Sequence, residues 1–156
     1  MHSSIHWKVK HNGASWFYGR FRNLEGSFVF DESNPAKCEV TMEVDASSVD
    51  TRTEKLDGHL RSPDFFDVKQ FPKLTFESKK VKKSGDKYHV TGELSLHGVT
   101  KEITIEMEHT GSGNDGAVQG FHTSFTIDRT DFGMNYGIGG IGKEVEIIIS
   151  IEAGKG

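Results

Sequence analysis

One cysteine, Cys38, stands in 156 residues, so no intramolecular disulfide can staple the fold and thiols say nothing of redox compartment. Its alternation with Val40, Met42 and Val44 makes it a small buried hydrophobe rather than a nucleophile. No apolar run approaches the ~20 residues of a membrane-spanning helix. No excess of basic residues exists either: the formal net charge is −4. That charge gives no basic footprint, so neither nucleic acid nor an anionic membrane surface is expected as a partner. The one basic run, Lys79-Lys80 and Lys82-Lys83, reads as a solvated turn at a strand end. Apolar residues make up only 34%, yet 11 of them are Phe, so the hydrophobic content sits in large rings. That suits strands with one thin apolar face each.

What the chain does have is alternation. Ile5, Trp7 and Val9 alternate with His6, Lys8 and Lys10. Phe21 leads to Gly26, Phe28 and Phe30 on one face. Val40, Met42 and Val44 oppose Glu39, Thr41 and Glu43, and Leu74 and Phe76 oppose Thr75 and Glu77. Tyr88, Val90, Gly92, Leu94 and Leu96 face away from His89, Thr91, Glu93, Ser95 and His97. Ile103, Ile105 and Met107, then Phe121, Thr123, Phe125 and Ile127, then Val145 through Ile151 repeat the pattern. Turn chemistry separates the runs at Asn34-Pro35, Ser84-Gly85-Asp86, His97-Gly98 and Asn114-Asp115-Gly116. About eight such strands without crossover helices predict one all-β domain, an antiparallel barrel whose closure protects its edges. At that size the interior is either filled by side chains or holds one elongated ligand.

One stretch breaks the alternation, at about residues 51–67. Thr51 with Glu54 reads as a capping box, and Leu56 and Leu60 share a helical face. Ser62-Pro63-Asp64 reads as a second N-cap, followed by adjacent Phe65 and Phe66. Two large rings on a short helical excursion need an apolar partner at the mouth or flank of the barrel. They make either a lid beside a cavity or a plug that completes the core.

Catalytic motifs fail on context. Gly137 to Gly142 fits G-x-G-x-x-G but leads into a β-branched strand rather than a helix. Glu144 stands where a P-loop needs its hydroxyl. Asp131-Phe132-Gly133 lacks the other kinase signatures. The eight histidines show no metal-ligand spacing, and His89, His97 and His122 fall on the polar side of the alternation. His11 continues the inward register of Trp7 and Val9, and His59 lies in the helical excursion. Each could satisfy a buried partner or meet the polar end of a ligand, and either could serve an enzyme as general base. No serine sits in a nucleophile elbow. Asp128-Arg129 reads as an ion pair pinning the loop that follows it. Gly26 and Gly92 at inward positions, with slim aliphatics from Val145 to Ile151, leave room for a channel.

With these segments in place the chain resembles the YceI-like family of lipocalin-like, polyisoprenoid-binding proteins over essentially its whole length. The carriers of the resemblance include His2-Ser3-Ser4, Gly19-Arg20-Phe21 and Ser48-Val49-Asp50-Thr51. They continue with Asp57-Gly58-His59-Leu60, Ser62 to Asp67, Phe71 to Phe76, His97 to Lys101 and Asp128 to Met134. Such a resemblance implies an eight-stranded antiparallel lipocalin-like barrel with a small helical insertion around a hydrophobic pore. It implies a non-enzymatic carrier of an isoprenoid, an isoprenoid quinone or a fatty amide or acid, with no cofactor and no metal. Family members are commonly periplasmic and often homodimeric. Met1 leads straight into strand pattern without a signal peptide, so the expected compartment is cytoplasmic, or periplasmic for a trimmed mature form. The expected channel lining is Trp7, His11, Phe21, Phe28, Met42 and Val44, continuing through Phe76, Leu94, Phe121, Phe125 and Met134. Phe65 and Phe66 belong at the lid.

Overall fold

The computed structural model describes residues 2–154, and its ten strands form one antiparallel sheet. They are β1 (Ser4–His11), β2 (Ser15–Phe21), β3 (Leu24–Val29), β4 (Glu39–Asp45) and β5 (Val49–Asp50). After helix α1 (Glu54–Arg61) come β6 (Lys73–Ser84), β7 (Lys87–Leu96), β8 (Val99–Gly113), β9 (Val118–Asp128) and β10 (Ile141–Gly154). The order across the sheet is β3-β4-β6-β7-β8-β9-β10-β1-β2-β5. Its two ends meet because β2 runs almost directly into β3: β2 pairs with β1, and β3 pairs with β4. Arg22 N–H donates to the Ser48 carbonyl and Asp45 N–H to that of Asn23, both at 3.1 Å, across the junction. The fold is thus the expected barrel, with two strands more than expected. The difference is the interruption of two long strands, at Arg22-Asn23 and at Ala46 to Ser48, which alternation alone does not reveal.

Asp50 holds that junction. Its carboxylate is buried and accepts from Arg20 Nε at 2.8 Å, Arg22 Nε at 3.0 Å and Arg52 N–H at 2.9 Å. The Arg22 guanidinium above all, with the Arg52 amide and Arg20, holds its pKa far below the ordinary carboxylate value.

The tight turns follow the sequence signals. His97 and Gly98 both take positive φ, 53° and 74°, the backbone that suits a two-residue hairpin to the strand twist. His97 is not the solvated imidazole expected from its polar register. Its Nδ1 lies 2.9 Å from the Phe132 carbonyl, which can only accept, so Nδ1 carries the hydrogen. The lysine run is not a turn: it lies inside β6, where a bulge between Ser78 and Lys80 shifts the register. Lys79 reaches Glu93 and Glu102 across the sheet, and Lys83 reaches Glu32.

The helical excursion forms, but with different caps. Thr53 is the N-cap without a side-chain bond. Thr51 donates its hydroxyl to Asp57 at 2.6 Å and its N–H at 2.7 Å, in place of a box with Glu54. Asp57 wins because it is buried with Leu60 on the inner face of α1, whereas Glu54 is exposed. Ser62 does not start a second helix; it caps α1, and Pro63 to Phe66 form turns. Pro63 and the return of Phe66 N–H to the Leu60 carbonyl at 2.9 Å fold the two rings back onto the barrel.

Candidate functional site: a blind channel with one polar mouth

Strand directions sort the barrel into two unlike ends. At one, Phe28, Phe30, Tyr88, His109 and Phe121 interlock. Phe28 stacks on Phe121 with centroids 5.1 Å apart and rings 5° from parallel, and Phe30 meets Phe121 edge-on. These aromatics pack across that end. At the other lie the β1–β2 hairpin, the segment from Arg129 to Ile141, and α1 with its following turns.

Among the described residues, a wide and a narrow cavity lie in the interior. The wide one, of about 470 Å³, lies under α1 and reaches His11, Ser15, His59, Arg129 and Tyr136. The narrow one, of about 80 Å³, runs toward the aromatic plug, between residues such as Met42, Phe76, Leu94 and Phe125. Ile5, Leu74 and Ile147 line both, so the two meet at a neck. Every residue expected at the channel lines one of them. Trp7, His11, Phe21, Phe65, Phe66 and Met134 border the wide chamber. Phe28, Met42, Val44, Phe76, Leu94 and Phe121 border the narrow one, as does Phe125. His11 is placed differently from its expected inward register. A register shift between Val9 and His11 turns it to an exposed place on the rim.

The glycines do the opposite of what their small size suggested. A β-carbon on Gly92 would collide with the Glu77 carbonyl and lie 2.7 Å from Phe76 Cζ. Gly92 therefore admits the Phe76 ring rather than leaving space. Gly26 likewise lies against the backbone of Thr41 and Met42. Gly19, opposite Trp7 in register, carries the indole, whose six-membered ring occupies the place of a side chain there. The open volume comes instead from the neck and from the space beneath α1.

The lid side is built from rings. His59 lies edge-on to Phe65 and to Tyr136, each at 5.0 Å, and Phe65 meets Tyr136 at 5.2 Å. His59 Nε2 sits 2.8 Å from Asp64 Oδ2. This trio joins the helical segment to the loop after β9 across the mouth. Phe66 packs edge-on against Phe21 at 5.3 Å. Tyr136 was invisible as a site residue in the sequence, since it lies in no strand and only the long glycine loop flags its neighbourhood.

Arg129 also escaped. The expected ion pair with its neighbour does not form, because Asp128 turns to cap Thr130, accepting from its N–H at 2.8 Å and its hydroxyl at 2.6 Å. Arg129 is 3% exposed and donates to three carbonyls instead: Gly142 through Nε at 2.8 Å, Met134 through Nη1 at 2.7 Å and Ile141 through Nη2 at 3.0 Å. Burial lowers its pKa from the ordinary guanidinium value, with the Asp128 charge opposing that shift. A cation thus stands on the wall of the wide chamber without a carboxylate partner among the described residues. Trp7 Nε1 is the other unusual donor there: buried, and without a protein acceptor among the described residues. No group of His, Cys, Asp and Glu suited to a metal ion occurs among the described residues.

The YceI-like domain model matches residues 1–153. The chain belongs to the YceI-like family. A UPF0312 protein of Yersinia pestis (strain Pestoides F) is 45% identical over 154 residues, covering 97% of this chain and 80% of its own length. Among solved structures, BcnA of Burkholderia cenocepacia superposes with a TM-score of 0.91 at 26% identity, over 97% of this chain and 96% of its own. A polyisoprenoid-binding domain from Saccharophagus degradans shares the fold, with a TM-score of 0.77 at 16% identity over 99% and 94%. The family match spans residues 1–153, and the fold likeness covers nearly the whole chain.

Proposed function

We propose that this YceI-like protein binds and transports a long-chain amphiphile of the isoprenoid, isoprenoid-quinone or fatty amide or acid class, without acting on it as an enzyme. The observation that carries this reading is the channel's asymmetry. The end assigned to the tail is narrow, apolar and bordered by the stacked Phe28 and Phe121 rings. The head end is wide and carries histidines, a tyrosine and a buried arginine. A lipid fits such a tube in one direction, tail first. Each buried methylene contributes about 0.8 kcal/mol, offset by the ordering of a flexible chain. Two donor-only groups beside the wide chamber, Trp7 Nε1 and the Arg129 guanidinium, favour a head that offers acceptor oxygens. A structural neighbour of the same fold is a polyisoprenoid-binding domain, in keeping with a tail of that kind.

The test is native mass spectrometry of protein purified without detergent, followed by organic extraction and identification of what is released. A stoichiometric lipid would name the ligand class. A ligand-free mass that stays unchanged after incubation with polyprenols would reject the carrier reading. Replacement of His11 by Asn is expected to leave retention intact and to produce no change in the extracted lipid. An altered lipid product that depends on His11 would instead make the protein an enzyme.

A further inference from the structure

We infer that the mouth of the channel docks on an anionic lipid bilayer through the β1–β2 hairpin and the loop after β9. This inference rests on the carrier reading, since a lipid cargo must pass between the channel and a membrane. Its support is independent of the channel's interior.

Whole-chain charge hides the pattern. All 23 acidic residues lie after residue 24, and four of the 19 Lys and Arg, namely Lys8, Lys10, Arg20 and Arg22, lie before it. The second segment at the mouth, Phe132 to Lys143, is also free of acids. The two segments touch: Asn12 N–H donates to the Gly140 carbonyl at 2.6 Å. A protein that is acidic overall therefore brings two acid-free segments together on one side of its polar opening, while α1 and its turn carry the exposed acids Glu54 and Asp64 on another. This reverses the expectation drawn from net charge, because a surface senses the charges that face it within a Debye length rather than their sum.

The same rim holds most of the exposed large hydrophobics among the described residues. Trp16 is 49% exposed, Tyr18 57%, Tyr136 46% and Ile138 52%. Trp16 lies between two lysines, with Lys8 Nζ 4.9 Å and Lys10 Nζ 4.6 Å from its ring centre. Trp and Tyr with a wet edge, flanked by lysines, are the side chains that settle at a membrane–water interface. Lys8 shares its charge with Glu146 at 2.7 Å. Lys10 has no ion-pair partner among the described residues, so its charge is free for a phosphate. A second copy of the chain is the competing occupant. A two-fold contact through Trp16 would bring the basic rim against its own image, which charge opposes.

The experiment uses the full chain with vesicles of phosphatidylcholine, alone or mixed with phosphatidylglycerol, read by co-sedimentation and tryptophan emission. Trp7 is already buried, so a blue shift reports Trp16. Binding and a blue shift with the mixed vesicles only are expected. Lys10→Gln should weaken binding about five-fold, and Lys10→Glu about thirty-fold; both keep the channel lining unchanged. Trp16→Ser should abolish the shift while circular dichroism confirms folding. Equal binding to both vesicles, or to neither, would overturn the inference. So would a blue shift that grows with protein concentration in the absence of lipid, which would assign the face to a second copy. Lipid extraction on the same preparation separates the two readings. Retained lipid without vesicle docking overturns docking alone; docking without any retained lipid supports this inference and counts against the carrier.

Discussion

Replacing Ile147 by Trp should shorten the tail that the channel accepts. Ile147 lies opposite Trp7 on β1 and Phe125 on β9, and it lines both chambers. A larger ring there fills the neck rather than a packed core, so overpacking strain is small and the melting temperature should hold or rise. Beyond the neck lie about 80 Å³, room for roughly five to eight methylene-sized groups at ~10–15 Å³ each. At about 0.8 kcal/mol per methylene, their burial contributes roughly 4–6 kcal/mol. Chain ordering removes part of that, leaving about 2–4 kcal/mol, or roughly 30- to 1,000-fold in affinity. The assay is competition of prenols of increasing length against a fluorescent fatty acid. In the natural protein affinity should climb with length and then level off. In the variant it should level off earlier, with short prenols binding as before. An unchanged plateau would refute a tail-inward channel, and so would an equal loss for every chain length.

Three other outcomes follow from the packing. Gly92→Ala should cost about 1–3 kcal/mol in urea unfolding, since the new methyl meets the Glu77 carbonyl and Phe76; a neutral result would show that β6 and β7 yield more than their pairing allows. Asp50 should make barrel closure acid-sensitive: with its folded pKa depressed, its stabilisation is complete above the ordinary carboxylate range, ~4, and fades as pH falls below it. Asp50→Asn should lower stability at neutral pH and flatten the acid limb of the melting profile, and an unchanged limb would exclude the cluster as its source. Arg129→Lys should destabilise by about 3 kcal/mol or more, because one ammonium cannot replace a planar fork on three separate carbonyls; melting within a degree of the natural protein would refute that account.

Most of the barrel was legible because a strand writes its own periodicity. Trp7, Phe28, Met42, Phe76, Leu94 and Phe125 each stand in an alternating run, and cross-strand pairing preserves which face they take. The helical insertion was legible through Leu56 and Leu60, but its caps were not. Thr51 could satisfy either Glu54 or Asp57, and only the burial of α1's inner face chose Asp57. His11 kept the right parity and still ended on the rim, since a bulge is a property of two paired strands and not of one.

The sequence by itself therefore determined most of the inward faces, the glycine turns and the fold class, which rest on contacts between near neighbours. Tertiary structure decided the rest. It joined β2 to both ends of the sheet, set Asp50 between two arginines, turned Arg129 from its neighbour to distant carbonyls, and brought two acid-free segments to one rim. Those features depend on residues far apart in the chain whose meeting is set by how the sheet curls, and local pattern carries no record of that.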